Sequence, residues 1–258
     1  MSLKYSIIIA TFNSAKTLKS TLDSLVDQTY KNFEVIIVDG LSKDNTVNII
    51  KEYEKKFSEA NIPYYWSSEK DSGIYDAWNK ALKKVNTSWI AFLGSDDTYY
   101  PKALQVYNEA IIMNPEINYI SSKVELIDKN DKVLKVIGKP YKYKQMIRYM
   151  DIAHVGSFHH KDLFVKHGNF NTDYKIVADY DFFMKCGQDI QSAYINGITV
   201  RMLNTGVSNN NVGLVYKEFL NIKLKHKKAS YWQSYFDYYY AFLRIFKNKI
   251  THKLLGRM

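Results

Sequence analysis

Cysteine is nearly missing from this 258-residue sequence, where Cys186 stands alone. A single thiol excludes an internal disulfide framework and a multi-cysteine zinc site, and it fits a reducing compartment. Cys186 itself reads as core. Proline occurs only four times, and no stretch rich in Pro, Gly or Ser interrupts the chain, so one continuous domain is expected rather than two joined by a linker. No apolar run reaches the length of a membrane span. The first four residues lead directly into the apolar run Tyr5 to Ala10, which is too short for the hydrophobic part of a signal peptide and has no small-residue cleavage site behind it. A cytoplasmic location is therefore expected. What the chain has in quantity is apolar material: 46% hydrophobic residues and no low-complexity tract suffice for a full core.

Acidic residues are outnumbered, 26 against 36 Lys and Arg. The excess is local. Between Leu214 and Met258 ten basic residues meet only Glu218 and Asp237, a surplus of eight out of the chain's +10, so the body is nearly neutral. A localised basic segment points to an acidic surface such as nucleic acid or anionic lipid. In the same segment Trp232, Phe236, Tyr239, Tyr240, Leu243, Phe246, Ile250 and Leu254 fall near one helical stripe. Such a stripe suits a membrane headgroup boundary or packing against the rest of the protein, and amphipathicity alone does not separate the two.

The first half alternates strand-like and helix-like segments. Tyr5 to Ala10, Phe33 to Asp39, Tyr64 to Ser67 and Trp89 to Leu93 are short apolar, β-branched or aromatic runs, as in strands buried on both faces. Helical spacing marks Ala15 to Gln28 (Leu18, Leu22, Leu25), Thr46 to Phe57 (Val47, Ile50, Tyr53) and Ile74 to Val85. The alternation predicts a mostly parallel, Rossmann-like α/β sheet flanked by helices, with right-handed crossovers. In such sheets ligands bind beyond the carboxyl ends of the strands. Polar residues collect there: Thr11 and Asn13 after the first strand, Asp39 and Gly40 after the second, Glu69 to Gly73 after the third, Gly94 to Asp97 after the fourth. The second half is less regular. Val124 to Asp128 and Lys132 to Ile137 flank a turn and read as a hairpin, and Ile176 to Cys186 reads as a loop entering a helix. The expected division is residues 1–123, residues 124–213 of the same domain, and a basic helical tail at 214–258.

Acidic residues at strand ends carry the chemistry. Asp96 and Asp97 would emerge at the ligand edge, where adjacent carboxylates suit a hard divalent cation that completes its shell with phosphate oxygens; the plainer reading is a helix N-cap before a helix starting near Pro101. Asp39 would accept hydrogen bonds from a nucleotide base or ribose, or begin a turn with Gly40. Gly73 permits close backbone approach to a ligand, or marks a helix entry. Asp179 and Asp181 lie two apart in an apolar stretch, and a partly buried Asp179 would have the raised pKa of a general base, whereas a solvated pair is the commoner meaning of that spacing. His154, His159 and His160 read as packed or surface imidazoles, since one strand or helix does not aim all three at one point.

Taken in order, SIIIATFNSAKTLKSTLDSL (Ser6 to Leu25), VIIVDGLSKDNT (Val35 to Thr46), SEKDSGIYDAWNKAL (Ser68 to Leu82), FLGSDDTYYP (Phe92 to Pro101) and IVADYDFFMK (Ile176 to Lys185) resemble family 2 of the glycosyltransferases, of GT-A fold. The resemblance spans about Ser6 to Ser208. It implies a UDP-sugar donor held by Thr11, Asn13, Asp39, Asp71, Gly73 and Asn79, and Mn2+ or Mg2+ at Asp96 and Asp97. It also implies inverting transfer with Asp179 as base, and His154 and Asp181 on the acceptor side. The setting it implies is surface-polysaccharide assembly such as O-antigen or capsule, on a glycan acceptor linked to polyprenyl diphosphate, with the enzyme peripheral on the inner membrane face. Oligomeric state stays open. Two positions depart from the family pattern: Gly94 stands where the first aspartate of DxD is usual, and Ala178 where the glutamate of ED is usual. A sugar nucleotidyltransferase shares the layout but calls for a Gly-rich, Arg-containing phosphate loop after the first strand, which ATFNSA is not. A nucleic-acid-binding protein would explain the basic tail, yet carboxylates lining the main cleft repel phosphate unless a metal intervenes, so no nucleic acid is expected. An inactive nucleotide-sugar-binding protein is the remaining alternative.

Overall fold

The structure, a computed structural model, describes residues 4–206, 211–240 and 243. Its centre is three parallel strands, β1 (Tyr5–Thr11), β2 (Phe33–Asp39) and β4 (Trp89–Gly94), buried along almost their whole length. The half-exposed strand β3 (Tyr64–Ser68) forms the edge beside β2. Between them run α1 (Leu18–Val26), α2 (Thr46–Glu59) and α3 (Ile74–Leu82). In α1 the periodic leucines 18, 22 and 25 all face the core. In α2 the buried face is Ile49, Ile50, Tyr53 and Phe57, so the stripe runs through Ile49 rather than Val47. The first helix starts three residues later than its apolar spacing suggests, because Ser14, Thr17 and their neighbours form a turn instead.

Beyond β4 the sheet becomes mixed. A two-residue strand β5 (Thr98–Tyr99) and helix α4 (Ala103–Met113) lead to β6 (Tyr119–Ile127). Strand β6 forms the expected hairpin with β7 (Val133–Ile137). The short helix α5 (Tyr143–Met146) precedes β8 (Ser157–His160), which lies antiparallel between β4 and β6. Helices α6 (Lys161–His167) and α7 (Ala178–Cys186) precede β9 (Ser192–Leu203), parallel to β6. The order is β3-β2-β1-β4-β8-β6-β9-β5, with β7 on β6. One sheet thus runs through both expected halves, and the boundary at 123/124 falls inside β6. Cys186 is buried, as its solitary occurrence suggested.

The boundary at 213/214 also falls inside an element, α8 (Val212–His226). This helix is built into the body rather than trailing from it: Glu218, Ile222 and Lys223 are buried, and Phe219 packs on Tyr180 of α7 with ring centroids 4.4 Å apart. Residues 231–240 form a further helical segment, α9, docked through Asp237, which pairs with Lys223 at 2.8 Å and Arg148 at 2.9 Å. The aromatic stripe itself faces outward. Trp232 is 81% exposed, and Phe236, Tyr239, Tyr240 and Leu243 are also exposed; Phe246, Ile250 and Leu254 lie outside the described residues. Among the described residues no helix is long and apolar enough to cross a membrane.

The contrast between the two faces predicts a contrast in melting. Ile222→Ala should cost about 2–5 kcal/mol as a buried truncation, a drop of roughly 4–20 °C at about 2–4 °C per kcal/mol, whereas Trp232→Ala should stay within about 0.5 kcal/mol as a surface change. Thermal melting of the two variants checks this, and similar losses would contradict the exposed placement of the stripe.

Candidate active site

Parallel register brings the carboxyl ends of the central strands into one row. Thr11 lies opposite Asp39, Asp39 opposite Ser68, and Ala10 opposite Gly94. At the middle of that row Asp39 is fully buried, and its carboxylate accepts four hydrogen bonds: from Thr11 Oγ1 at 3.0 Å, from the Ser42 hydroxyl, from Ser42 N–H at 3.0 Å and from Ser68 Oγ at 2.7 Å. Both oxygens are therefore engaged inside the protein, and a base or ribose bound by this carboxylate would have to displace one of these donors. Asn13 sits in the left-handed region at φ 51° and accepts from Lys43 N–H through its side-chain carbonyl, closing the same loop. Asp71 rests against Gly40, where a Cβ would come within 2.6 Å of its Oδ2. Its proton affinity is raised by burial, with the Gly73 N–H at 3.0 Å acting in the opposite direction. Gly73 itself has φ 132°, a conformation that favours glycine, and α3 begins immediately after it. Thr11, Asn13, Asp39, Asp71 and Gly73 are thus brought to one edge.

Asn79 is not. Both ends of its amide are taken by the backbone of Phe170, donating to the carbonyl at 2.9 Å and accepting from the N–H at 3.1 Å. It acts as a staple between α3 and the segment before α7, because one amide side chain satisfies a donor and an acceptor of an unpaired peptide together.

The row continues to β4 through a hydroxyl pair, Ser14 and Ser95, at 2.8 Å. Asp96 is half-buried, with Thr205 Oγ1 donating to it at 3.3 Å. Asp97 is buried and accepts from the Leu203 N–H at 3.1 Å, which anchors the end of β9. Neither caps α4, whose N-cap is Lys102. Burial raises the pKa of Asp96; burial, and then the Asp96 charge, raise that of Asp97 well above the usual carboxylate range. Gly94 explains its own presence: a Cβ there would lie 2.4 Å from Asp97 Oδ2 and 3.0 Å from an Asp96 oxygen. Among the described residues no group of three or more His, Cys, Asp or Glu forms a metal cage. Two carboxylates that repel each other nevertheless fit a divalent cation sharing its shell with substrate phosphates, since the cation relieves that repulsion.

Asp179 occupies the first turn of α7. Burial raises its pKa to about 6, opposed by bonds from its neighbour's N–H and from Tyr75. The Tyr75 hydroxyl lies 2.6 Å from the Ile176 carbonyl and 3.3 Å from Asp179 Oδ1. Because Tyr75 follows the Asp71–Gly73 turn by two residues, this contact ties Asp179 to the strand-end row. Asp181 has a different fate. It is fully buried, 2.8 Å from His226 Nε2 and 3.3 Å from Lys185 Nζ. Burial opposes its ionisation, but His226 and Lys185 hold its pKa below the usual value. A carboxylate enclosed in this way anchors α7 to α8 and does not meet an acceptor.

Of the three histidines, two come together. His154 and His159 have ring centroids 5.1 Å apart, packed among Phe92, Phe183 and Phe170, and Trp78 lies 5.5 Å from His154. Burial lowers the pKa of His154 to about 3 and that of His159 well below its ordinary value, so both are neutral. His160 points to the other face of β8 beside Trp89, as strand alternation requires. A concavity of about 850 Å³ lies at the β3 edge around Tyr64, Trp66 and Lys84 and holds none of these residues. Sequence reasoning missed Ser42, Ser68, Tyr75, Thr205 and Glu218. Only Tyr75 carried a signal, its place in the first turn after Gly73.

Comparison with known proteins gives the family and the fold. The chain is 29% identical over 219 residues to a PGL/p-HBAD biosynthesis glycosyltransferase of Mycobacterium bovis, covering 84% of this chain and 82% of that one. It is 32% identical over 190 residues to an uncharacterised glycosyltransferase of Methanocaldococcus jannaschii, covering 70% and 63%. Its fold is similar to residues 1–349 of TarS from S. aureus, solved in complex with UDP-GlcNAc, at TM-score 0.71 and 20% identity over 90% of this chain and 69% of that one. It is also similar to a mannosyltransferase from Pyrobaculum calidifontis, solved in complex with GDP-Man and Mn2+, at TM-score 0.65 and 14% identity over 89% and 66%. The profile of glycosyl transferase family 2 matches residues 6–166, more than half of the chain, and this chain belongs to that family.

Proposed function

We propose that this glycosyltransferase moves a hexose or N-acetylhexosamine from a UDP-sugar to a hydroxyl of a glycan acceptor, with inversion, in cell-surface polysaccharide assembly. The observation that carries the reading is Asp179: a carboxylate with pKa raised to about 6, tied through Tyr75 to the helix that springs from the Asp71–Gly73 turn. A base that abstracts a hydroxyl proton works best with a pKa near the operating pH. In this reading Thr11, Asn13, Asp71 and Gly73 line the nucleoside side, and Asp39 sets their positions. Asp96 and Asp97 would hold Mn2+ or Mg2+, which supplies positive charge for the diphosphate leaving group. On the acceptor side His154 presents a partly exposed, neutral ring packed against buried Trp78.

The deciding experiment is UDP release across a panel of UDP-sugars and glycan acceptors, with and without manganese. Asp179→Asn should lower turnover by about 100- to 10,000-fold with UDP affinity nearly unchanged. The wild-type rate should rise with pH through about 6, because Asp179 accepts a proton only as the carboxylate. Near-normal turnover in folded Asp179→Asn would sink the assignment.

Asp39 and Asp96 should fail differently. Asp39→Ala strands four buried or half-buried donors, at about 1–3 kcal/mol for each group left unsatisfied, and should appear first as a lower melting temperature. Asp96→Ala should melt near wild type and lose the manganese dependence of UDP binding. Calorimetry and melting on both variants separate them; identical behaviour would remove the division of roles.

The exposed aromatic stripe of α9 and the basic residues around it support an acceptor held on a polyprenyl diphosphate at an anionic, inner-face membrane surface, each Lys or Arg near that surface adding about 1 kcal/mol. Binding to vesicles containing an anionic phospholipid should exceed that to neutral vesicles and fall with Trp232→Ala plus Phe236→Ala. Equal partitioning in all cases would leave the stripe without a membrane role.

A further inference from the structure

Ala178, directly before the base, is fully buried and has no polar group with which to hold its neighbour. The support comes from another part of the chain. Glu218 of α8 is 5% exposed, and its carboxylate accepts hydrogen bonds from three successive backbone N–H groups, those of Lys175 at 2.7 Å, Ile176 at 3.0 Å and Val177 at 3.2 Å. Val177 is the N-cap of α7, and its own side chain cannot cap the helix. The Ile176 peptide is consequently held from both sides, its N–H by Glu218 and its carbonyl by the Tyr75 hydroxyl, three residues before Asp179.

A buried carboxylate is costly unless charged or hydrogen-bonding partners compensate it. Among the described residues Glu218 has no ion-pair partner within 4 Å, so the three charge-assisted backbone bonds are what keep it inside. Two further contacts hold α8 on the same helix: Phe219 on Tyr180, and His226 on Asp181. Helix α8 therefore makes an apolar, a hydrogen-bonding and an ionic contact with α7 and the loop before it, while its Lys223 pairs with Asp237 of α9.

We propose that Glu218 is a positioning residue for catalysis: by clamping the 175–177 backbone from α8, it fixes the height and orientation of Asp179, a task the residue at 178 cannot perform here. The proposal rests on the reading of Asp179 as the base. Glu218 does not touch the reacting atoms. It acts through the loop, and its negative charge also adds to the raised pKa of Asp179, behind burial as the main cause. Among the described residues, Tyr75 from α3 and Tyr119 from β6 also interact with Asp179. Both are neutral across the working range, because burial raises their pKa values further.

The test uses the full chain, the UDP-sugar selected by the panel for turnover, and UDP as the binding probe. Glu218→Ala should lower kcat by roughly 100-fold, the scale associated with a misplacement of about 1 Å, with UDP affinity and binding stoichiometry within about twofold of wild type. Glu218→Gln keeps the shape and one acceptor oxygen; it should lose less activity and, lacking the charge, shift the acidic limb of the pH profile to lower pH. Wild-type kcat in both variants, or losses that track the UDP-binding stoichiometry with the acidic limb unmoved, would overturn the positioning role. If Glu218→Ala does not fold, the limb position and kcat of Glu218→Gln decide alone. Near-normal turnover in Asp179→Asn would instead remove the base assignment itself, an outcome distinct from an inert Glu218 beside an essential Asp179.

Discussion

Asp39 is a charge with no exposed surface, and the architecture of the site follows from how that charge is compensated. Its four donors belong to three different segments: the end of β1, the loop after β2, and the end of β3. Hydrogen bonds to a charged group contribute about 1.5–3 kcal/mol each, so the three segments cannot separate without leaving the carboxylate exposed to a low-dielectric interior. The parallel register already sets Thr11, Asp39 and Ser68 side by side; the carboxylate turns that alignment into a rigid edge. Through Ser14 and Ser95 the constraint passes on to the loop that carries Asp96 and Asp97.

From this edge the structure reaches the base by a short path. Asp71 packs on Gly40, Gly73 turns the backbone into α3, and Tyr75 in the first turn of that helix meets both Ile176 and Asp179. Each link is short-ranged, and the last of them, Tyr75, is buried. Burial also raises the pKa of Asp179, so the contact that positions the base lies where its proton affinity is raised.

The first half of the fold was legible because its signals are local. Runs such as Val35 to Val38 are short, β-branched and apolar, as in buried strands, and the leucines of α1 repeat at helical spacing. The second half hides its strands. Strand β9 contains the pair Asn196-Gly197, residue types that strands disfavour, inside its twelve residues. The pairing with β6 passes from Ile195 to Ile198 across a register shift, so the two residues form a bulge rather than a corner. The acidic members of the site were legible from their place at strand ends, but their partners were not. Ser42, Ser68 and Thr205 are small hydroxyls whose meaning depends on contacts that the spacing of residues does not encode. Glu218 sits in a segment dominated by lysine, where one carboxylate looks like part of a solvated face. Asn79 and Asp181 were placed in the site by their neighbours in sequence, and long-range partners claimed them: the Phe170 backbone for one, His226 and Lys185 for the other.

The two departures from the family pattern have a common physical form. At 94 a Cβ would lie 2.4 Å from Asp97 Oδ2, so any side chain there requires the Asp97 carboxylate to shift. At 178 the side chain is a buried methyl group, and the polar contacts to the preceding backbone come from Glu218. In each case a carboxylate missing from one position is matched by another reaching the same neighbourhood from elsewhere in the chain. A site of this kind is constrained by where negative charge sits and what compensates it, more than by which residue number supplies it. It also follows that restoring the usual residue alone would disturb the site: an aspartate at 94 would displace the Asp97 carboxylate, and a glutamate at 178 would enter a position with no exposed surface, now filled by a methyl group.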